Sequence, residues 1–185
     1  MRVVDFHNHY YPPAYLDALR REPSAVRVTT DEEGNPVLHY PGDYNVAVLG
    51  HRDIGYRREV LDREGIDLQV LTLTTPGTHV EAPERAVRLA QLVNEALGHV
   101  ARERPDRFSA LATLPLNDPA ASAVELRRAV AELGLRGAML FSNANGVALA
   151  DQRFWPLFEA ANALEAVLYV HPTHPVGVEA MTTTG

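Results

Sequence analysis

The sequence predicts an α/β fold of parallel strands joined by helical crossovers, and three observations carry that expectation. Short apolar runs of strand length recur along the chain. Their continuous apolar character suits parallel strands buried on both faces. From Tyr56 onward these runs alternate with amphipathic stretches in the order α, β, α, β, α, β, α, β, the pattern of right-handed parallel crossovers. Histidines stand at the carboxyl ends of the first and fifth runs, where a barrel gathers its chemistry. Secondary structure alone leaves two arrangements open. One is an open doubly wound sheet; the other is the first five units of an eight-stranded barrel, which typically needs about 250 residues.

The strand candidates are Val3–His7, Leu68–Leu73, Phe108–Leu114, Gly137–Phe141 and Ala166–Val170. Tyr56 to Glu64 reads as a short helix stopped by Gly65. A longer helix begins near Pro83 and carries Val87, Ala90, Val93, Leu97 and Val100 on or near one stripe. Asp118 followed by Pro119 is an N-cap and first-position pair, with Ala123, Leu126, Val130 and Leu133 at helical spacing and Gly134 closing the helix. A last helix starts after Asp151 and runs through Phe154 and Phe158 toward Ala163, with Trp155 and Phe158 expected in the core. Residues 24–50 break the rhythm. Turn signals at Glu33-Gly34-Asn35-Pro36 and Pro41-Gly42, flanked by Val26–Thr30 and Val37–Tyr40, predict an inserted β-hairpin in an otherwise single domain spanning residues 1–185. The polar ending Thr182-Thr183-Thr184-Gly185 has no helix after the fifth strand and reads as a cut chain.

Composition narrows the function classes. Hydrophobic residues make up 46% and charged residues 22% of the 185, an ordinary globular balance. A net charge of −7 argues against a nucleic-acid partner, because phosphate backbones demand clustered positive charge. No apolar run approaches the roughly 20 residues needed to cross a bilayer, and Asp5, His7 and His9 interrupt what would be a signal peptide. A cytoplasmic protein acting on a small molecule is the expectation. The absence of cysteine excludes zinc fingers and thiol nucleophiles. All 17 basic residues are arginine, so Schiff-base chemistry has no lysine to use.

The first strand reads Val3-Val4-Asp5-Phe6-His7-Asn8-His9. Alternation places His7, His9 and Asp5 on one face, and two imidazoles at i and i+2 can grip one divalent ion. A bare His-x-His is also a common surface pattern. His171, ending the fifth strand in Tyr169-Val170-His171-Pro172, would face the same mouth in a barrel. His174 falls in the following loop. Asp5 could accept a hydrogen bond from a ligand imidazole and fix its tautomer, or serve a structural bond.

These segments resemble the amidohydrolase-related family that includes aminocarboxymuconate-semialdehyde decarboxylase. The similarity lies in Asp5-Phe6-His7-Asn8-His9-Tyr10-Tyr11-Pro12, Asp62-Arg63-Glu64-Gly65-Ile66-Asp67, Leu111 through Pro119, and Tyr169-Val170-His171-Pro172. It implies a (β/α)8 TIM barrel of the metal-dependent hydrolase type, of which the first five strands are present. It also implies a metal site formed by His7, His9 and His171, completed in the family by an eighth-strand aspartate and assisted by a sixth-strand histidine, both outside this chain. The ion would be zinc, with manganese the alternative. Binuclear members bridge two metals through a fourth-strand lysine or glutamate; Ala138 through Asn143 contains neither, so one ion is expected. The implied activity is decarboxylation of a small unsaturated or aromatic carboxylic acid with a metal-bound water, in a homodimer. The alternatives are a hydrolase or hydratase on the same fold, or an inactive half barrel.

Arg52 is the candidate for binding a substrate carboxylate, because arginine grips carboxylate with a bidentate fork; Arg57 and Arg58 compete for that role. His79, Thr78, Asn143 and Asn145 fall in loops at the expected mouth, where histidine is more often solvated. His39, His51 and His99 are assigned structural or surface roles.

Overall fold

The computed structural model describes residues 1–174; the polar ending at Thr182–Gly185 lies outside these described residues. Strand β1 (Val4–Asp5) leads into helix α1 (Pro13–Arg21) and then into strands β2 (Arg27–Thr30), β3 (Pro36–Tyr40) and β4 (Asp43–Val46). Helices α2 (Leu49–Arg52) and α3 (Ile54–Arg63) return the chain to β5 (Leu68–Leu71). There follow α4 (Pro83–Glu103), β6 (Phe108–Ala110), α5 (Pro119–Ala131) and β7 (Gly137–Phe141). A small antiparallel pair, β8 (Asn143–Ala144) and β9 (Val147–Ala148), precedes α6 (Trp155–Ala163) and β10 (Val167–His171).

Five of these strands are parallel and lie side by side in chain order. β1 pairs with β5, with Val4 opposite Leu68, and β5 pairs with β6, with Gln69 opposite Phe108. β7 pairs with β10 from Val167 opposite Gly137 to His171 opposite Phe141. The two groups meet where Ala112 bridges Ala138 and its N–H donates to the Gly137 carbonyl at 2.8 Å. The order never reverses, as a doubly wound sheet must at its switch point.

One pairing depends on a glycine. Gly137 has φ of 147°, and a Cβ there would lie 1.9 Å from the Val167 carbonyl oxygen. Only glycine lets β10 approach β7 this closely.

The core packs between strands and helices. Leu71, Leu73, Ala112, Leu114, Leu140 and Phe141 are buried with Leu89, Val93 and Leu97 of α4 and Leu126 of α5. Each fully buried leucine contributes about 1.5–3 kcal/mol. Asp118 caps α5 by accepting from the Ala121 N–H at 2.9 Å.

Several elements differ from the sequence expectation. Helix α1 has no counterpart among the expected elements; its Pro13 occupies a first-turn position, where the missing N–H costs nothing. Its Tyr15, Leu16 and Leu19 are buried. The insertion is a three-stranded antiparallel sheet ordered β2-β3-β4, because the Pro41-Gly42 turn leads into another strand. Helix α3 starts before Tyr56, since Asp53 caps it by accepting from the Tyr56 N–H at 2.7 Å. Trp155 is 59% exposed, not in the core, because it opens α6 on the outward side. Phe158 does pack against the core. Among the described residues, no helix is long and apolar enough to cross a membrane.

Candidate metal centre

Strand β1 ends at Asp5, two residues short of the first histidine, so regular pairing does not set the ligand positions. Side chains replace the ladder. Asn8 donates through Nδ2 to the Val70 carbonyl at 2.9 Å, and Thr72 Oγ1 donates to the Asn8 carbonyl at 2.6 Å. The Tyr10 N–H then donates to the Thr72 carbonyl at 2.8 Å. The His-x-His segment is thereby bound along the end of β5, while His171 is the last residue of β10.

This arrangement brings His7, His9 and His171 together, with one ligand atom from each lying within 4.8 Å of the others. The imidazole centroids are 5.2 Å apart for His7 and His9, 5.2 Å for His7 and His171, and 5.0 Å for His9 and His171. His7 is exposed, and the other two are half-buried. His171 Nδ1 lies 2.8 Å from the Pro172 carbonyl oxygen. A carbonyl can only accept, so Nδ1 carries the proton and Nε2 keeps its lone pair.

Burial holds two of the three imidazoles toward the neutral form. Burial, reinforced by the neighbouring His171 and His7, pushes His9 down to about 4. Burial also lowers His171, against the raising effect of the Pro172 hydrogen bond. His9 Nδ1 is enclosed with no hydrogen-bond partner among the described residues, although buried polar atoms normally have one. Converging imidazoles with available lone pairs and an orphaned nitrogen fit a divalent transition metal.

The other candidates are placed as follows. Asp5 accepts from Gln69 Nε2 at 2.7 Å; among the described residues it makes no hydrogen bond to a histidine. Arg52 donates through Nε to the Ala47 carbonyl at 3.1 Å and through Nη2 to Asn35 Oδ1 at 3.4 Å, contacts that tie it to the inserted sheet. Arg58 is exposed, whereas Arg57 is 5% exposed and reaches the His-x-His segment. Asn143 binds Thr173 Oγ1 at 3.0 Å and the His174 carbonyl at 2.7 Å, tying the β10 loop to the end of β7.

Two further histidines are placed by their packing. His51 is half-buried and its ring lies 6.5 Å from that of His9, beside the candidate centre. His79 is buried, not solvated, with its ring 4.9 Å from that of Phe141. Thr78 is fully buried and donates to the Leu114 carbonyl at 3.3 Å. Gln69 was missed altogether, although a polar residue inside Leu68-Gln69-Val70-Leu71 was a visible signal of a buried polar contact.

Comparison with known proteins gives the same family as the motifs. The amidohydrolase family profile matches residues 4–184. The chain belongs to the amidohydrolase family. It is 38% identical to the 2-amino-3-carboxymuconate-6-semialdehyde decarboxylase of Dictyostelium discoideum over 130 residues, covering 70% of this chain and 36% of that protein. It is 33% identical to the gamma-resorcylate decarboxylase of Rhodococcus jostii over 159 residues, covering 78% of this chain and 48% of that protein. Among solved structures, the 5-carboxyvanillate decarboxylase of Sphingomonas paucimobilis superposes with a TM-score of 0.79 at 28% identity, covering 100% of this chain and 56% of that one. The dihydroxybenzoic acid decarboxylase of Polaromonas, solved with bound manganese and 2-nitroresorcinol, gives 0.72 at 26% identity and covers 98% and 52%. The chain thus spans about half the length or less of these amidohydrolases.

Proposed function

We propose that this chain forms the first five units of a (β/α)8 barrel and carries the metal-binding histidines of a carboxy-lyase acting on a small aromatic or unsaturated carboxylic acid. The observation that carries this reading is the convergence of His7, His9 and His171 within 4.8 Å in a chain whose relatives are decarboxylases of such acids. Strand order without reversal supports the barrel over a doubly wound sheet.

The ion is a single divalent metal. An all-imidazole set suits zinc, the assignment from sequence, while solved relatives carry manganese. When bound, the ion supplies Lewis-acid polarisation and orients the substrate. The chain's own contribution is positional. Burial holds His9 and His171 toward the unprotonated form, His7 stands beside them with its ring 5.2 Å from each, and the Pro172 carbonyl holds His171 in the tautomer that frees Nε2. Asp5 supports the site through Gln69. Arg52 binds the substrate carboxylate only if its guanidinium leaves Ala47 and Asn35.

The test is carbon dioxide release from 2,6-dihydroxybenzoate and 5-carboxyvanillate by the metal-loaded chain, with lactones in parallel. Release abolished by chelation and by His171→Ala supports the reading. Release that survives chelation, or turnover of lactones alone, overturns the lyase assignment. No turnover of any compound by a metal-loaded chain withdraws activity from this chain and leaves it a metal-binding part.

A further inference from the structure

The placement of His9 poses a physical question. Its strand has left the β-ladder, since pairing of β1 with β5 covers only Val4 and Asp5. A metal ligand must nevertheless be held to a fraction of an ångström. The side chain that grips this segment comes from helix α3. Arg57 donates through Nη2 to the His9 carbonyl, and through Nη1 to Asn8 Oδ1 at 2.9 Å and Gln69 Oε1 at 2.7 Å. Gln69 in turn donates to Asp5 Oδ2 at 2.7 Å, and Asn8 reaches the Val70 carbonyl at 2.9 Å. The guanidinium carbon lies 5.5 Å from the centre of the Tyr10 ring. One planar fork therefore joins the backbone of a ligand, the residue before it, and the neighbouring strand.

A stability role accounts poorly for this arrangement. Arg57 is 5% exposed and forms no ion pair among the described residues. Taking a cation out of water without a carboxylate against it is costly, and a well-packed apolar side chain often serves stability as well or better. What the guanidinium adds is direction: rigid donors that hold several acceptors in one fixed geometry, which the single ammonium of lysine cannot reproduce.

We infer that Arg57 is a positioning residue of the metal centre, fixing His9 through its backbone carbonyl and through Asn8, with Gln69 relaying the constraint from Asp5. This rests on the reading of His7, His9 and His171 as metal ligands. Arg57 touches neither ion nor substrate in this role; its effect is on the affinity and symmetry of the site.

The experiment titrates the 185-residue chain with manganese, followed by the electron paramagnetic resonance of free ion, and with cobalt, followed by its visible spectrum. The proteins are wild type, Arg57→Met, Arg57→Lys and Gln69→Leu, each checked for folding by circular dichroism. Arg57→Met is expected to weaken manganese binding by about 10–100-fold, the range for outer supports of a metal site. Arg57→Lys recovers part of that loss but shows an altered cobalt spectrum, and Gln69→Leu weakens binding by a smaller factor. If Arg57→Met fails to fold, Arg57→Lys and Gln69→Leu carry the test. Wild-type affinity and an unchanged cobalt spectrum in both overturn the inference while leaving the metal centre intact. Failure of the wild type itself to bind either ion removes the metal centre, and the inference with it.

Discussion

His9 and His171 stand edge to face with their ring centroids 5.0 Å apart, although one follows the first parallel strand and the other ends the fifth. The sheet between them is open between β1 and β10, yet it curves enough to bring these side chains into contact. Phe6 and Tyr169 meet in the same way at 5.3 Å. The site is therefore a property of the curved sheet as a whole.

Gly137→Ala tests the link between β7 and β10. The new Cβ would lie 1.9 Å from the Val167 carbonyl oxygen, at a backbone conformation that L-residues rarely adopt. Strain plus displacement of β10 is expected to cost about 3 kcal/mol or more, read as a lowered urea midpoint. Because β10 carries His171, metal uptake should fall in the same variant.

The acid limb of stability should contain a contribution from His79. Burial holds it at about 4, against 6.5 for a free histidine. As pH falls, the unfolded chain therefore takes up the proton first. The contribution is fully present above pH 6.5 and is lost as pH falls toward 4, by something on the order of 3 kcal/mol. His79→Gln is expected to lose less stability than wild type between these values in urea titrations; equal losses would show that His79 is not held neutral.

Arg85→Met should loosen the inserted sheet. Arg85 Nε lies 3.3 Å from the buried Glu81 carboxylate, and Arg85 also pairs with Glu22 and reaches the Ala18 carbonyl at 3.1 Å. Glu81 accepts in turn from Ser24 and from the Ala25 N–H at 3.1 Å. Removing the cation leaves a carboxylate buried without its partner, at a cost of about 3–5 kcal/mol. The expected result is a lower thermal midpoint with faster amide exchange in β2 and β3. Unchanged exchange there would assign the network to α4 alone.

The parts legible in the sequence were those written in local pattern. The spacing of two marked His7 and His9 as a pair, although the strand ends at Asp5 and bonds through Asn8 and Thr72 hold the segment, and the apolar run before His171 marked it as a strand end. Asp118 and Pro119 announced α5, and the cap is made as expected. The parts that were hidden depend on distant partners. His79 is buried because Phe141 lies against it. His51 lies near His9 because α2 folds back toward the first strand, where the Tyr11 N–H donates to the His51 carbonyl at 2.7 Å. Arg57 ranked behind Arg52 as a competing arginine in the sequence, because what sets it apart is the packing of α3 against Gln69 and Asn8. Only there does one guanidinium meet three acceptors.

The central claim is that three histidines from the two ends of the sheet form one metal site. Elemental analysis of the chain purified without chelators tests it most directly, beside His7→Ala, His9→Ala and His171→Ala. The wild type is expected to carry about one equivalent of manganese or zinc, with a substantial loss in each variant. Wild-type chain free of metal after loading with either ion, or metal retained in full by all three variants, would contradict it.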